Sequence, residues 1–322
     1  PMTRQPYHRC PLAATVNAVA RNARIACLLL MAALTIGGCA VPQKTLQLPS
    51  VEKSFGAGTI VDTATADAIP FETLIDQIID VAVIYVGESH TSKEHHDIQL
   101  RIIRALVAKG AQVKVGMEMF DHTYQPVLDR WTTENLEEQR FLELTHWYAN
   151  WRFDYSLYRP ILDYVQQNHL PLVGLNLPFH LPPKISTGGL ESLRTEERQL
   201  IAADIDTDDA DHRAYLQKVF DQHRLKGRDN FEYFYQAQCA WEDTMAAQVA
   251  ANISAKGPMV VIVGNGHIVK KYGVPKRADR RTQRPSRTVY LAAAGGEADR
   301  SDADYIWVTA AAKSPHMRSR GR

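Results

Sequence analysis

Cysteine is scarce in this chain, four in 322 residues, and the scarcity sets the first limits. Cys10 and Cys27 fall in an apolar N-terminal leader and Cys39 stands at its end, which leaves Cys239 for the folded part. One thiol builds neither an internal disulfide framework nor a cysteine metal cluster. An excess of charge of one sign is also missing. The formal net charge is +1, whereas a nucleic-acid partner would need a basic stripe. The basic runs Lys270 to Arg287 and Lys313 to Arg322 are local, and residues 313–322 are expected to be a disordered tail. No Gly-x-Gly-x-x-Gly follows the first strand and no phosphate loop is present. No helix carries His-Glu-x-x-His. Gly87-Glu-Ser-His-Thr91 contains a serine but not the Gly-x-Ser-x-Gly elbow of a serine hydrolase.

Among what is present, the leader comes first. Arg4, Arg9, Arg21 and Arg24 precede an apolar run from Ile25 to Ile36, and Gly37-Gly38 lead to Cys39. That is the layout of a secretory signal peptide. The run is shorter than the roughly 20 apolar residues a spanning helix needs. Ile36-Gly-Gly-Cys39 resembles the lipobox of bacterial lipoproteins, which implies a signal peptide over 1–38 and lipidation at Cys39. Several acyl chains hold firmly, since each buried CH₂ contributes about 0.8 kcal/mol. Ala40 follows the cysteine, which favours the outer membrane, facing the periplasm. Residues 39–66 are expected to be anchor and tether, and 67–312 the folded domain.

Within that domain, Val81–Val86, Val113–Met117, Leu172–Leu175, Met259–Val263, Thr288–Leu291 and Tyr305–Val308 are short apolar runs. Helical patterns fill the gaps, at roughly 91–109, 158–169, 192–204, 211–226 and 230–254. Continuous apolar strands alternating with helices predict an α/β fold with a mostly parallel sheet and helices on both faces. The blocks 121–160 and 180–256 are expected to be helical insertions over one edge. Asp206 to Asp211 is an acidic loop that solvation accounts for.

The chemistry-bearing residues stand at strand ends. Gly87-Glu88-Ser89-His90 follows the first strand, Glu118 ends the second, Asn176 the third, and Gly264-Asn265-Gly266-His267 the fourth. Ligands of open parallel sheets bind beyond the carboxyl ends of the strands, so these residues are expected to share one mouth. Thr91-Ser-Lys-Glu94 has the form of a capping box, which puts His90 and His95 at the positions of a hydrophobic staple, with His96 one step further round. Aromatic residues crowd the insertions, in His146-Trp-Tyr-Ala-Asn-Trp151, Phe153-Asp-Tyr155, Tyr158 and Phe231-Glu-Tyr-Phe-Tyr235. Most are core, yet the supply suits a flat apolar ligand.

Gly87-Glu-Ser-His90 with His95-His96, Gly116-Met-Glu-Met-Phe120, Leu175-Asn-Leu-Pro178, Gln236 to Trp241 with Thr244-Met-Ala246, and Gly264-Asn-Gly-His267 through Arg277 occur in an order that resembles the ChaN-like haem-binding uptake family. The resemblance covers about residues 75 to 310. It implies an iron-regulated lipoprotein that binds haem, a homodimer with stacked haems at its interface, a tyrosine iron ligand, and handover with an outer-membrane haem receptor. Tyr155 and Tyr158 are the tyrosine candidates, with Arg159 as propionate partner and His95 and His96 nearby. The wider superfamily includes Tiki metalloproteases and erythromycin esterases. An alternative reading is therefore a hydrolase using Glu88, His90, Glu118 and His267, with His90, Glu118 and His267 holding a divalent metal ion that keeps a position open for water. Trp241-Glu242-Asp243 departs from the Trp-Asp-Glu expected of the family.

Overall fold

The computed structural model describes residues 44–222 and 229–311. Cys39, the leader and the tail 313–322 lie outside the described residues. In chain order come β1 (Leu46–Gln47), β2 (Ser54–Phe55), β3 (Ile60–Asp62), β4 (Asp67–Ile69), helix α1 (Phe71–Ile78) and β5 (Val83–Glu88). Helix α2 (Lys93–Ala108) leads to β6 (Lys114–Asp121). Helices α3 (Gln125–Thr133), α4 (Glu138–Thr145), α5 (Trp147–Asn150) and α6 (Arg159–Gln167) then precede β7 (Leu172–Asn176). Helices α7 (Leu181–Gly188), α8 (Thr195–Arg198), α9 (Ala210–Gln222) and α10 (Phe231–Asn252) lie before β8 (Met259–Gly264). Helix α11 (Val274–Thr282), β9 (Ser286–Ala293) and β10 (Tyr305–Thr309) follow.

Eight strands form one sheet in the order β4-β3-β10-β9-β5-β8-β6-β7. The six from β10 to β7 are parallel, and β3 and β4 add antiparallel pairs at one edge. Every residue of β5, β7, β8 and β10 is buried, which is why those segments are apolar without alternation. On one face Ile84, Val86, Val260 and Ile262 pack under α1 and α2 through Ile75, Ile102, Ile103 and Leu106. On the other, Val83, Tyr85, Val261 and Val263 pack under α10 and α11 through Met245, Val249, Val274 and Ala278. A fully buried side chain of this size contributes about 1.5–3 kcal/mol, so both layers are needed to hold the sheet. Helices α3 and α10 pack on β7, so the two insertions do build at that edge.

Three expectations are corrected. The segment given to a tether is folded from Lys44 onward: Leu46, Leu48, Phe55, Ile60 and Val61 are buried, and β3 pairs with β10. Its polar look comes from turns between very short strands that bury only these few large apolar residues. The helix expected over 192–204 shrinks to Thr195–Arg198. Beyond it the backbone bonds elsewhere, as the Ala202 N–H donates to Thr244 Oγ1 at 3.0 Å and the Asp206 N–H to Asp243 Oδ2 at 2.8 Å. The acidic loop is held by ion pairs with the basic stretch: Asp209 meets Lys276 at 2.6 Å, Asp204 meets Arg281 at 2.9 Å, and Asp206 meets Arg280. Half-exposed pairs of this kind are worth about 0–1 kcal/mol each, so they place the loop more than they stabilise the fold.

Candidate functional site at the sheet mouth

The start of α2 is built differently from the capping box. Ser92 is the N-cap and its hydroxyl accepts from the His95 N–H; Thr91 lies outside the helix. The shift of one residue turns His95 and His96 inward, to 5% and 2% exposure. His95 accepts the Ser89 N–H on Nδ1 at 2.8 Å, so its Nε2–H points to Thr309 Oγ1 at 3.2 Å. Burial holds its pKa down to about 4, against a smaller pull from the Glu88 charge, so the ring is neutral. His90 and His95 therefore do not form the staple pair, and His95 faces away from the group described next.

Glu88, at the end of β5, is buried and surrounded by donors. Its Oε1 accepts from His90 Nδ1 at 2.8 Å and from the Tyr158 hydroxyl at 2.6 Å. Its Oε2 accepts from Gln99 at 2.9 Å and lies 3.3 Å from His96 Nε2. Burial opposes the carboxylate, yet the His90 and His96 bonds and charges outweigh it and bring the pKa down to about 2. Glu88 is thus an ionised support that orients His90. The His90 ring stands between Trp151 and Phe153, at centroid distances of 4.8 and 5.0 Å, with its side chain 29% exposed.

Glu118 accepts the Gly264 N–H at 2.7 Å, and its other oxygen lies 3.5 Å from His267 Nε2. His267 Nδ1 in turn meets Glu242 Oε1 at 3.2 Å. The ring is clamped between two carboxylates. Burial works against its charge, but Glu118 and Glu242 together raise its pKa to about 10. Glu242 is backed by His212 at 3.2 Å and by Arg277 at 3.4 Å. Arg277 also pairs with the buried Asp243, and Arg281 reaches the same carboxylate at 2.9 Å. A Cβ on Gly264 would stand 3.0 Å from His90 Cε1 and 3.6 Å from Glu118 Oε2, so both side chains flank this glycine and a larger residue would press on His90.

The structure therefore brings together His90, Glu118 and His267, with Gly87, Glu88 and Asn265 around them. Asn176 is a support: its Nδ2 donates to the Glu118 carbonyl at 2.8 Å. Asn265 Nδ2 donates to the Leu291 carbonyl at 2.8 Å, and its Oδ1 fills the space beside Gly87. The reading of His90, Glu118 and His267 as a divalent-metal centre gains no support: among the described residues no three His, Cys, Asp or Glu side chains are grouped to hold an ion. Their polar atoms are turned to each other and to Glu88, Glu242 and Gly264. What the group offers is a carboxylate-oriented imidazole beside a fixed imidazolium and two carboxylates, an acid–base arrangement.

The haem candidates fare differently. Tyr155 and Tyr158 are 1% and 0% exposed. Burial pushes both phenols well above the usual tyrosine range, and the Glu88 carboxylate raises Tyr158 further. Tyr158 spends its proton on Glu88, and Arg159 pairs with Glu138. Neither tyrosine is an accessible iron donor. Among the described residues the large hydrophobic side chain that stands exposed is Tyr148, at 60%. The sequence holds the signal for it: Trp147 and Trp151, four residues apart, are both buried and turn Tyr148 outward. Glu242, His212 and Arg277 were also missed, because only the fold brings α9, α10 and α11 to His267.

Solved structures share the fold. A structure of cofacial haem binding to ChaN of Campylobacter jejuni matches with TM-score 0.64 and 21% identity, over 81% of this chain and 98% of that one. A succinoglycan biosynthesis protein matches with TM-score 0.43 and 14% identity, over 70% of each chain. An erythromycin esterase in its open conformation matches with TM-score 0.44 and 15% identity, over 74% and 76%. No curated protein sequence matches. Residues 74–278 match the family described as haem-binding uptake, Tiki superfamily, ChaN, and the chain belongs to that family.

Proposed function

We propose that this protein binds haem in iron or haem uptake, on the face that carries Tyr148. The observation that carries the reading is the match of residues 74–278 to the haem-binding uptake family, joined to one exposed tyrosine in the aromatic insertion. The residues there fit haem. Tyr148 supplies a phenolic oxygen for ferric iron, and the exposed Arg152 and His146 on the same segment suit propionates. Bound haem would supply an iron for transfer or storage; the chain's part is to hold its iron and its acid groups. A surface site of this kind is completed by a second copy, which supports a homodimer as the working form. Cys39 as a lipid anchor, an outer-membrane location and handover to a haem receptor belong to the same proposal. Two measurements test it. Haem added to the protein should give a shifted, saturable Soret band, and Cys39→Ser should release the protein from washed membranes. No spectral change at micromolar protein would remove the haem reading, and a membrane-retained serine variant would remove the anchor.

A second reading, hydrolysis at the sheet mouth, is favoured by one observation: His90, Glu118 and His267 meet at one end of three parallel strands. His90, oriented by Glu88, is the base in that reading. Glu118→Gln should abolish such an activity and leave haem binding intact; loss of both together would merge the two sites into one.

A further inference from the structure

The carboxyl end of the sheet holds a second concavity that the His90, Glu118 and His267 group does not use. The chain leaves β5 toward β6 on one side and leaves β9 toward β10 on the other, and β5 and β9 are neighbours. Where connections diverge in this way an open parallel sheet leaves a crevice for ligands. Here the crevice is a cavity of about 650 Å³, inside the range of about 300–1,000 Å³ typical of small-molecule sites.

Its two walls differ in chemistry. One is made by the ends of β9 and β10, which run out in small residues: Leu291-Ala-Ala-Ala294 and Thr309-Ala-Ala311. Val289 and Leu291 pack on the α2 face of the sheet, and Ala292 packs on the opposite face with Ile306 and Val308. Strand alternation then puts Ala293 on the α2 face, where a methyl group leaves open the space between β9 and the start of α2. The other wall is polar, made by Ser89, Thr91, His95 and Asn265, with the charged Lys93, Glu94 and Glu297. His95 is locked as a neutral ring by the Ser89 N–H and by Thr309, whose hydroxyl continues to the Ala292 carbonyl at 3.3 Å. The hydroxyls of Ser89 and Thr91 make no hydrogen bond among the described residues, so they remain to meet a ligand.

We propose that this cavity is a binding site for an amphipathic small molecule, whose apolar body lies on the alanine ends of β9 and β10 and whose hydrogen-bonding head meets Ser89 and Thr91. The cavity borders the sheet-mouth cluster at Asn265 but is lined by none of His90, Glu118 and His267, and it stands whether or not the haem or the hydrolase reading holds.

The test uses 8-anilinonaphthalene-1-sulfonate, an apolar ring system with a polar head, titrated into the full chain. Ala293→Trp fills the cavity, and the exposed Ala310→Trp repeats the test at a position that does not carry the fold. The wild type should show a saturable one-to-one component of blue-shifted emission. That component should weaken at least tenfold in either tryptophan variant and persist in Glu118→Gln. Folded tryptophan variants that bind the dye as the wild type does, or a wild type without a saturable component, would overturn the proposal.

Discussion

The Tyr158 hydroxyl donates to Glu88 Oε1 at 2.6 Å, and this bond removes from haem chemistry a tyrosine that the sequence offers as an iron ligand. It spends the phenol on a carboxylate that also holds His90. Tyr158→Phe should therefore act on stability and on His90. A buried carboxylate that loses a donor costs about 1–3 kcal/mol, which denaturant unfolding will read. The Soret spectrum with haem should not change. A variant as stable as the wild type would show that the bond is idle.

His267 makes stability depend on pH with a definite sign. Its pKa rises from 6.5 to about 10 on folding. Below 6.5 both folded and unfolded states hold the proton, so the clamp between Glu118 and Glu242 contributes in full. Between about 6.5 and 10 the native state binds more protons, so unfolding free energy falls as pH rises. That alkaline limb should be present in the wild type and flattened in His267→Gln. Identical limbs in the two proteins would contradict the clamp.

The pair of Arg277 and Asp243 is buried on both sides. Asp243→Ala takes one of two carboxylates from the buried Arg277 and leaves it Glu242, so it should be destabilised by up to about 3–5 kcal/mol in thermal melts. Arg280→Ala, whose side chain is 44% exposed, should change stability by less than about 1 kcal/mol. Equal effects from both would show that burial is not what sets the cost.

Much of this fold is legible in the sequence because both faces of the sheet are covered. Runs such as Met259–Val263 are then apolar at every position, and their polar ends mark the mouth. The residues from Leu46 to Ile60 were illegible for the opposite reason, since strands of two or three residues have no period to detect. In the site, His90 and His267 are legible because each follows a strand, and Glu118 because it breaks the apolar run of β6 near its carboxyl end. His95 was misplaced because one residue decides the cap: with Ser92 in place of Thr91 as N-cap, the ring turns under Thr309. Gly264 shows a close approach that a glycine signals, whereas Gly266 meets nothing within 4 Å, and the sequence does not tell the two apart. Glu242 reaches His267 from the long helix α10, and Arg277 on α11 backs Glu242, contacts that no local pattern encodes.

The central claim is that haem is held by the exposed tyrosine and not by the buried ones. The direct measurement is the Soret and charge-transfer spectrum of ferric haem titrated into the wild type, Tyr148→Phe and Tyr158→Phe. The account predicts a high-spin tyrosinate-type spectrum in the wild type and in Tyr158→Phe, and its loss in Tyr148→Phe. A tyrosinate spectrum that survives in Tyr148→Phe and disappears in Tyr158→Phe would contradict it.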